Sequence, residues 1–183
     1  MHMLKISKFR IFAFLSIVYA IFIFYLSSLS DPTQLASDFA QLQFIHDLGD
    51  FFKQHNMQFA VDIVNYSYDN FDKIVHMFLY FGFGILLHLT FRNSNNRTLK
   101  HYAPIFAILI GVLYGITDEI HQSFVPGRSA TTDDLLANSI GLAIAQIIFW
   151  LAIIKALFWK KEKKRTGIFR KAFSYLKALF SWP

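Results

Sequence analysis

Cysteine is missing altogether from this 183-residue chain, which rules out a disulfide framework, a thiolate metal site and a cysteine nucleophile. Charge is scarce as well. Only 16% of the residues are Asp, Glu, Lys or Arg, against 55% hydrophobic residues and a count of 22 Phe, a balance too apolar for an ordinary soluble domain. No small-x-small cleavage site separates the first apolar run from Asp31 and Pro32. That run is also too long for the core of a signal peptide, so it reads as a retained helix. No Ser-His-Asp order and no recognised nucleophile motif is present.

What the chain does have is four apolar stretches, at about residues 11–29, 74–91, 102–120 and 135–159. Each is near the ~20 residues that a helix needs to cross a hydrocarbon core of roughly 30 Å. The expected fold is an all-α integral membrane protein, with a four-helix transmembrane domain over residues 1–159 and a tail over residues 160–183. Lys and Arg are held preferentially on the cytoplasmic side of a membrane. Fifteen of the 18 basic residues lie before the first stretch, between the second and third, or from Lys155 onward, and Glu162 is the only one of 12 acids found there. Both termini are therefore expected in the cytoplasm. The net charge of +6 follows from that asymmetry and calls for no nucleic-acid partner.

Residues 30–73 then form an outer connection, long for a structureless loop. In LASDFAQLQFIHDLGDFFKQH the residues Leu35, Phe39, Leu42, Ile45 and Phe52 recur at helical spacing, which predicts an interfacial helix that either roofs the bundle or packs on its rim. In the tail, Ile168, Phe169, Ala172, Phe173, Leu176, Leu179 and Phe180 share one helical face, opposite Arg170, Lys171, Ser174 and Lys177. A basic amphipathic helix of this kind suits an anionic cytoplasmic leaflet, or else a partner protein.

The polar residues gather at the outer ends of three spans. The second span opens DNFDKIVH, where Asp72 and Lys73 stand four and three residues before His76 and are expected on its face. The third ends TDEIHQ and the fourth begins TTDDLLAN. The expected topology brings all three to one membrane surface, so Asp118, Glu119, His121, Gln122, Asp134 and Asn138 can line a shared crevice with His76. The turn signal Pro126-Gly127 sets Arg128 at its mouth, where a planar guanidinium can take two oxygens of a phosphate or carboxylate. Thr132 or Asp133 is placed to cap the fourth helix, and Asp134 has the better claim to point inward. The glycines Gly82, Gly84, Gly111, Gly115 and Gly141 read as helix-packing positions.

DKIVHMFLYFGFGILL, residues 72–87, together with YGITDEIHQSFVPGRSATTDDLLANSIG, residues 114–141, resembles the VanZ-like family of small bacterial membrane proteins. The family pattern carries over at Lys73, His76, Asp118, Glu119, His121, Gln122, Arg128, Asp134, Asn138 and Gly141. The resemblance implies a multi-pass protein of the bacterial cytoplasmic membrane. It also implies a link to low-level resistance to the glycopeptide teicoplanin, because the founding member carries one. A phosphotransbutyrylase name borne by some relatives is set aside, since acyl-CoA chemistry needs no site on the outer face.

Three readings of the cluster follow. As an enzyme site acting on a lipid-linked envelope precursor or anionic lipid head group, it would use His76 or His121 with Asp118 or Glu119 for proton transfer. Lys73, Gln122, Arg128, Asp134 and Asn138 would then hold the substrate. As a non-catalytic binder, it would shield an antibiotic target or hold the glycopeptide itself. As a structural network, it would only pin the helices. A further reading adds a divalent metal, for which His76, Asp118, Glu119, His121 and Asp134 are plausible ligands; the spacing Asp-Glu-Ile-His matches no standard metal box, so no metal site is assigned. No cofactor is named, and the oligomeric state stays open.

Overall fold

The computed structural model describes residues 7–30 and 43–180, with side chains described except at 43–46, 68, 69, 157 and 160–180. Among the described residues seven helices follow in order: α1 Lys8–Ser27, α2 Gln43–Gln54, α3 Gln58–Asp69, α4 Phe71–Arg92, α5 Arg97–His101, α6 Ala103–Gln122 and α7 Thr132–Phe180. Four are long and apolar enough to cross a membrane: α1, α4, α6 and residues Thr132–Ala156 of α7. The residues expected as an outer interfacial helix at Leu35, Phe39 and Leu42 lie outside the described residues, as does the side chain of Ile45. The same holds for the side chains of the amphipathic tail, although the α7 backbone is helical through Phe180.

By its internal contacts the chain divides into two units, residues 1–146 and 147–183. The first holds the site and α4 forms its centre, flanked by α1 and α6. Tyr80, Phe83 and Leu87 of α4 are buried with Ile23 of α1, Ala107 of α6 and Leu142 of α7. Phe83 stacks on Tyr19 at 6.3 Å and meets Tyr114 edge-on at 5.2 Å. Outward, α1 exposes Phe14, Ile17, Ile21 and Tyr25, as suits a surface wetted by lipid tails rather than water.

Close approach sets the α4–α7 contact. A Cβ on Gly141 would strike the Met77 carbonyl oxygen and stand 2.9 Å from the Phe81 nitrogen. Backbone cannot yield there, so only Gly brings the two axes together at that level. Polar side chains reinforce the packing in the other half of the bundle, where His88 Nδ1 lies 2.7 Å from Gln146 Oε1 and the Ser16 and Thr90 hydroxyls meet at 3.0 Å. Buried pairs of this kind hold neighbouring helices together in a medium that offers no water.

Helix ends follow from local chemistry. The α2–α3 link turns on Asn56, at φ 54°, whose N–H bonds the Lys53 carbonyl while the Met57 N–H bonds that of Phe52, a Schellman closure in which Asn takes the left-handed position. Asn96 caps α5 by accepting from the Thr98 and Leu99 N–H groups. Pro104 opens α6, where a missing N–H costs no helical bond.

Candidate functional site

The N-terminal turns of α4, the last turn of α6 and the first turns of α7 meet at one end of the bundle, with the C-terminus of α1 beside them. His76 of α4, Asp118, Glu119 and Gln122 of α6, and Asp134 and Asn138 of α7 are all buried there. Their partners bind the three helices together. His76 Nδ1 is 3.1 Å from Asn138 Oδ1; with a carbonyl oxygen as acceptor, Nδ1 carries the proton and Nε2 keeps its lone pair. Tyr80 donates its hydroxyl to Asp118 Oδ2 at 3.1 Å, and Gln122 Nε2 donates to the same oxygen at 3.4 Å. Gln122 also reaches Ser27 of α1 at 3.5 Å.

Thr131 organises the start of α7. Its hydroxyl accepts the Asp134 N–H at 3.1 Å and donates to Asp134 Oδ2 at 2.6 Å, so Thr131, not Thr132 or Asp133, is the cap. Its own N–H donates to Glu119 Oε2 at 3.2 Å, tying the turn to α6. Asp134 faces inward at 6% exposure while Asp133 is exposed. The cap decides this, because it fixes the rotation of the first turn.

Among the described residues, five buried side-chain polar atoms have no hydrogen-bond partner: Asp118 Oδ1, Glu119 Oε1, Arg128 Nε, Asp134 Oδ1 and Asn138 Nδ2. Among the described residues the ion pairs are Lys53–Asp50 and Lys73–Asp72, so no cation pairs with Asp118, Glu119 or Asp134. Acidic side chains buried with an unpartnered oxygen and no paired cation are costly to fold around. His76, Glu119 and Asp134 also present ligand-type atoms that all lie within 4.8 Å of one another.

Other expected residues fall elsewhere. Lys73 pairs with Asp72 at 3.5 Å, and neither bonds His76, whose partner comes from α7; the i,i+3 and i,i+4 spacing yields to tertiary packing. His121 is half-buried against α1, its ring stacked on Phe24 at 4.2 Å and its Nε2 3.0 Å from Ser28 Oγ. Arg128 follows a turn closed by its N–H on the Val125 carbonyl at 3.1 Å. Gly127 holds φ +81° in that turn, and a Cβ there would stand 2.9 Å from the Ser30 carbonyl oxygen. Sequence reasoning passed over Tyr80 and Thr131. Tyr80 stands four residues after His76, hence on its face, and Thr131 with Asp134 has capping-box spacing.

A helical membrane protein with a buried acid, imidazole and amide group at one end of its bundle is the class that fold and site define. The sequence model of the VanZ/LLP1 family matches residues 11–155, most of the chain and every residue of the site, so the protein belongs to that family. No curated protein and no solved structure matches the chain.

Proposed function

We propose that the chain takes the anionic head group of a lipid-linked envelope precursor into this polar site, on the outer face of the bacterial cytoplasmic membrane, and acts on it there. The observation that carries the reading is the set of unpartnered buried polar atoms, donors at Arg128 Nε and Asn138 Nδ2 and acceptors at Asp118 Oδ1, Glu119 Oε1 and Asp134 Oδ1. A network that only pinned helices would satisfy its own members. Arg128 supplies the planar fork for phosphate oxygens, and Lys73, part-exposed one turn before His76, supplies a second positive charge at the rim. The imidazole of His76 and the carboxylates of Glu119 and Asp134 stand where the reacting oxygen is activated. Altering or masking such a precursor would lower sensitivity to teicoplanin, which meets its target on that face.

The test uses the purified protein in nanodiscs with a polyprenyl-diphosphate-linked wall precursor. Binding and turnover in the wild type, with turnover lost in both His76→Ala and Glu119→Gln, are the expected outcome. Binding without turnover would leave a holder that shields its ligand. Absence of binding would remove the head-group reading.

A further inference from the structure

We propose that His76, Glu119 and Asp134 bind a divalent transition-metal ion, zinc or manganese, within the polar site. The proposal deepens the reading above by naming what activates the reacting oxygen, but the ion site itself stands on the geometry of three side chains and needs no substrate.

Each of the three residues has one atom committed to the protein and one left over. His76 is held through Nδ1 by Asn138 Oδ1 at 3.1 Å, which leaves Nε2 as the lone-pair atom. Glu119 is held through Oε2 by the Thr131 N–H at 3.2 Å, and Asp134 through Oδ2 by the Thr131 hydroxyl at 2.6 Å. The remaining oxygens, Glu119 Oε1 and Asp134 Oδ1, are buried and have no hydrogen-bond partner. Metal ligands are oriented in this manner, by an outer partner on the atom that does not face the ion.

Spacing and charge agree with it. One ligand-type atom from each residue lies within 4.8 Å of the other two, so a common centre stands about 2.8 Å or less from all three, and each ligand need close by less than about 1 Å to reach the ~2.2 Å of a bound ion. Glu119 and Asp134 are each 6% exposed, and no Lys or Arg forms an ion pair with either among the described residues. A dication bound between them would offset the cost of burying two acidic side chains side by side. Imidazole nitrogen with carboxylate oxygens selects zinc or manganese over calcium or magnesium. Three protein ligands leave coordination positions for a water or a phosphate oxygen, as catalytic zinc sites do.

The test is elemental analysis by mass spectrometry of the full chain, purified in detergent through a tag without histidine after growth with zinc and manganese. Wild type and His121→Gln should carry about one ion per chain. His76→Ala, Glu119→Gln and Asp134→Asn should each carry less by tenfold or more, and Asn138→Leu should weaken binding about 10–100-fold by removing the orienting partner. Circular dichroism checks that the variants keep their helix. A second measurement does not depend on them: zinc or manganese added to chelator-stripped wild type should raise its thermal midpoint. A wild type that takes up neither ion and gains no stability from either would overturn the proposal, as would unchanged ion content in the three ligand variants. No lipid enters this experiment, so its failure leaves the head-group reading standing, and loss of head-group binding with ion content intact removes that reading alone.

Discussion

Glu119 and Asp134 are both tied to Thr131, one through the residue's N–H and the other through its hydroxyl. A single side chain thus caps α7 and aims a buried carboxylate. Thr131→Val keeps the shape and the N–H but loses the hydroxyl, and should cost about 1–2 kcal/mol of stability, the usual worth of an N-cap, read as a lower thermal midpoint. An unchanged midpoint would show that the cap has no energetic weight. At this scale the sequence is an incomplete guide. Asp118, Glu119, Gln122, Asp134 and Asn138 announce themselves as polar residues at the ends of apolar stretches. Their partners do not, because Asn138 on His76, Tyr80 on Asp118 and Thr131 on Glu119 come from other helices, and rotation about a helix axis is set by packing. His121 shows the same limit, with a ring turned to Phe24 of α1, a helix outside the two motif stretches read from the sequence, and to Ser28 just beyond its end. A metal grouping of His76, Glu119 and Asp134 has no local signature, since each ligand comes from a different helix.

Helices in a bilayer gain little from burying apolar surface against one another, and close backbone approach takes over as the source of packing energy. Gly141 is where this matters most, because any side chain would meet the Met77 carbonyl of α4. Gly141→Val should separate α4 from α7, break the His76–Asn138 hydrogen bond and cost about 3 kcal/mol or more, since overpacking against rigid backbone has no cheap relief. Loss of folded protein on extraction, or a thermal midpoint lowered by many degrees, is the expected readout, and a variant as stable as wild type would contradict the contact. The four spans themselves are legible from composition, since an apolar run long enough to cross a bilayer has few other uses. Helices α2 and α3, in the connection between the first two spans, are less so. Their apolar faces are short, and the Schellman closure at Asn56 depends on a single residue in a rare backbone region.

For the molecule as a whole, the account requires the site to face outward, which the distribution of Lys and Arg supports. The absence of cysteine makes this directly measurable, because any introduced thiol is the only one. Ser129→Cys, in the exposed connection before α7, and Asn95→Cys, in the exposed turn before α5, lie at opposite ends of the spans. A membrane-impermeant maleimide on intact cells should label the first and spare the second. The reverse pattern would turn the site to the cytoplasm and remove envelope precursors exposed on the outer face as its ligands.

The central claim is that this polar site receives a phosphate-bearing head group, and Arg128 is the residue on which it turns. Its fork takes two phosphate oxygens at once, which a lysine ammonium cannot reproduce. The most direct measurement is the affinity of wild type, Arg128→Lys and Arg128→Ala in nanodiscs for a polyprenyl-diphosphate-linked precursor, compared with the same lipid lacking phosphate. The account predicts binding that depends on the phosphate, weakened about tenfold by Arg128→Lys and more by Arg128→Ala, in line with the loss of about 1.5–3 kcal/mol for a hydrogen bond to a charged group. Equal binding of all three proteins, or equal binding of the lipid with and without phosphate, would contradict it.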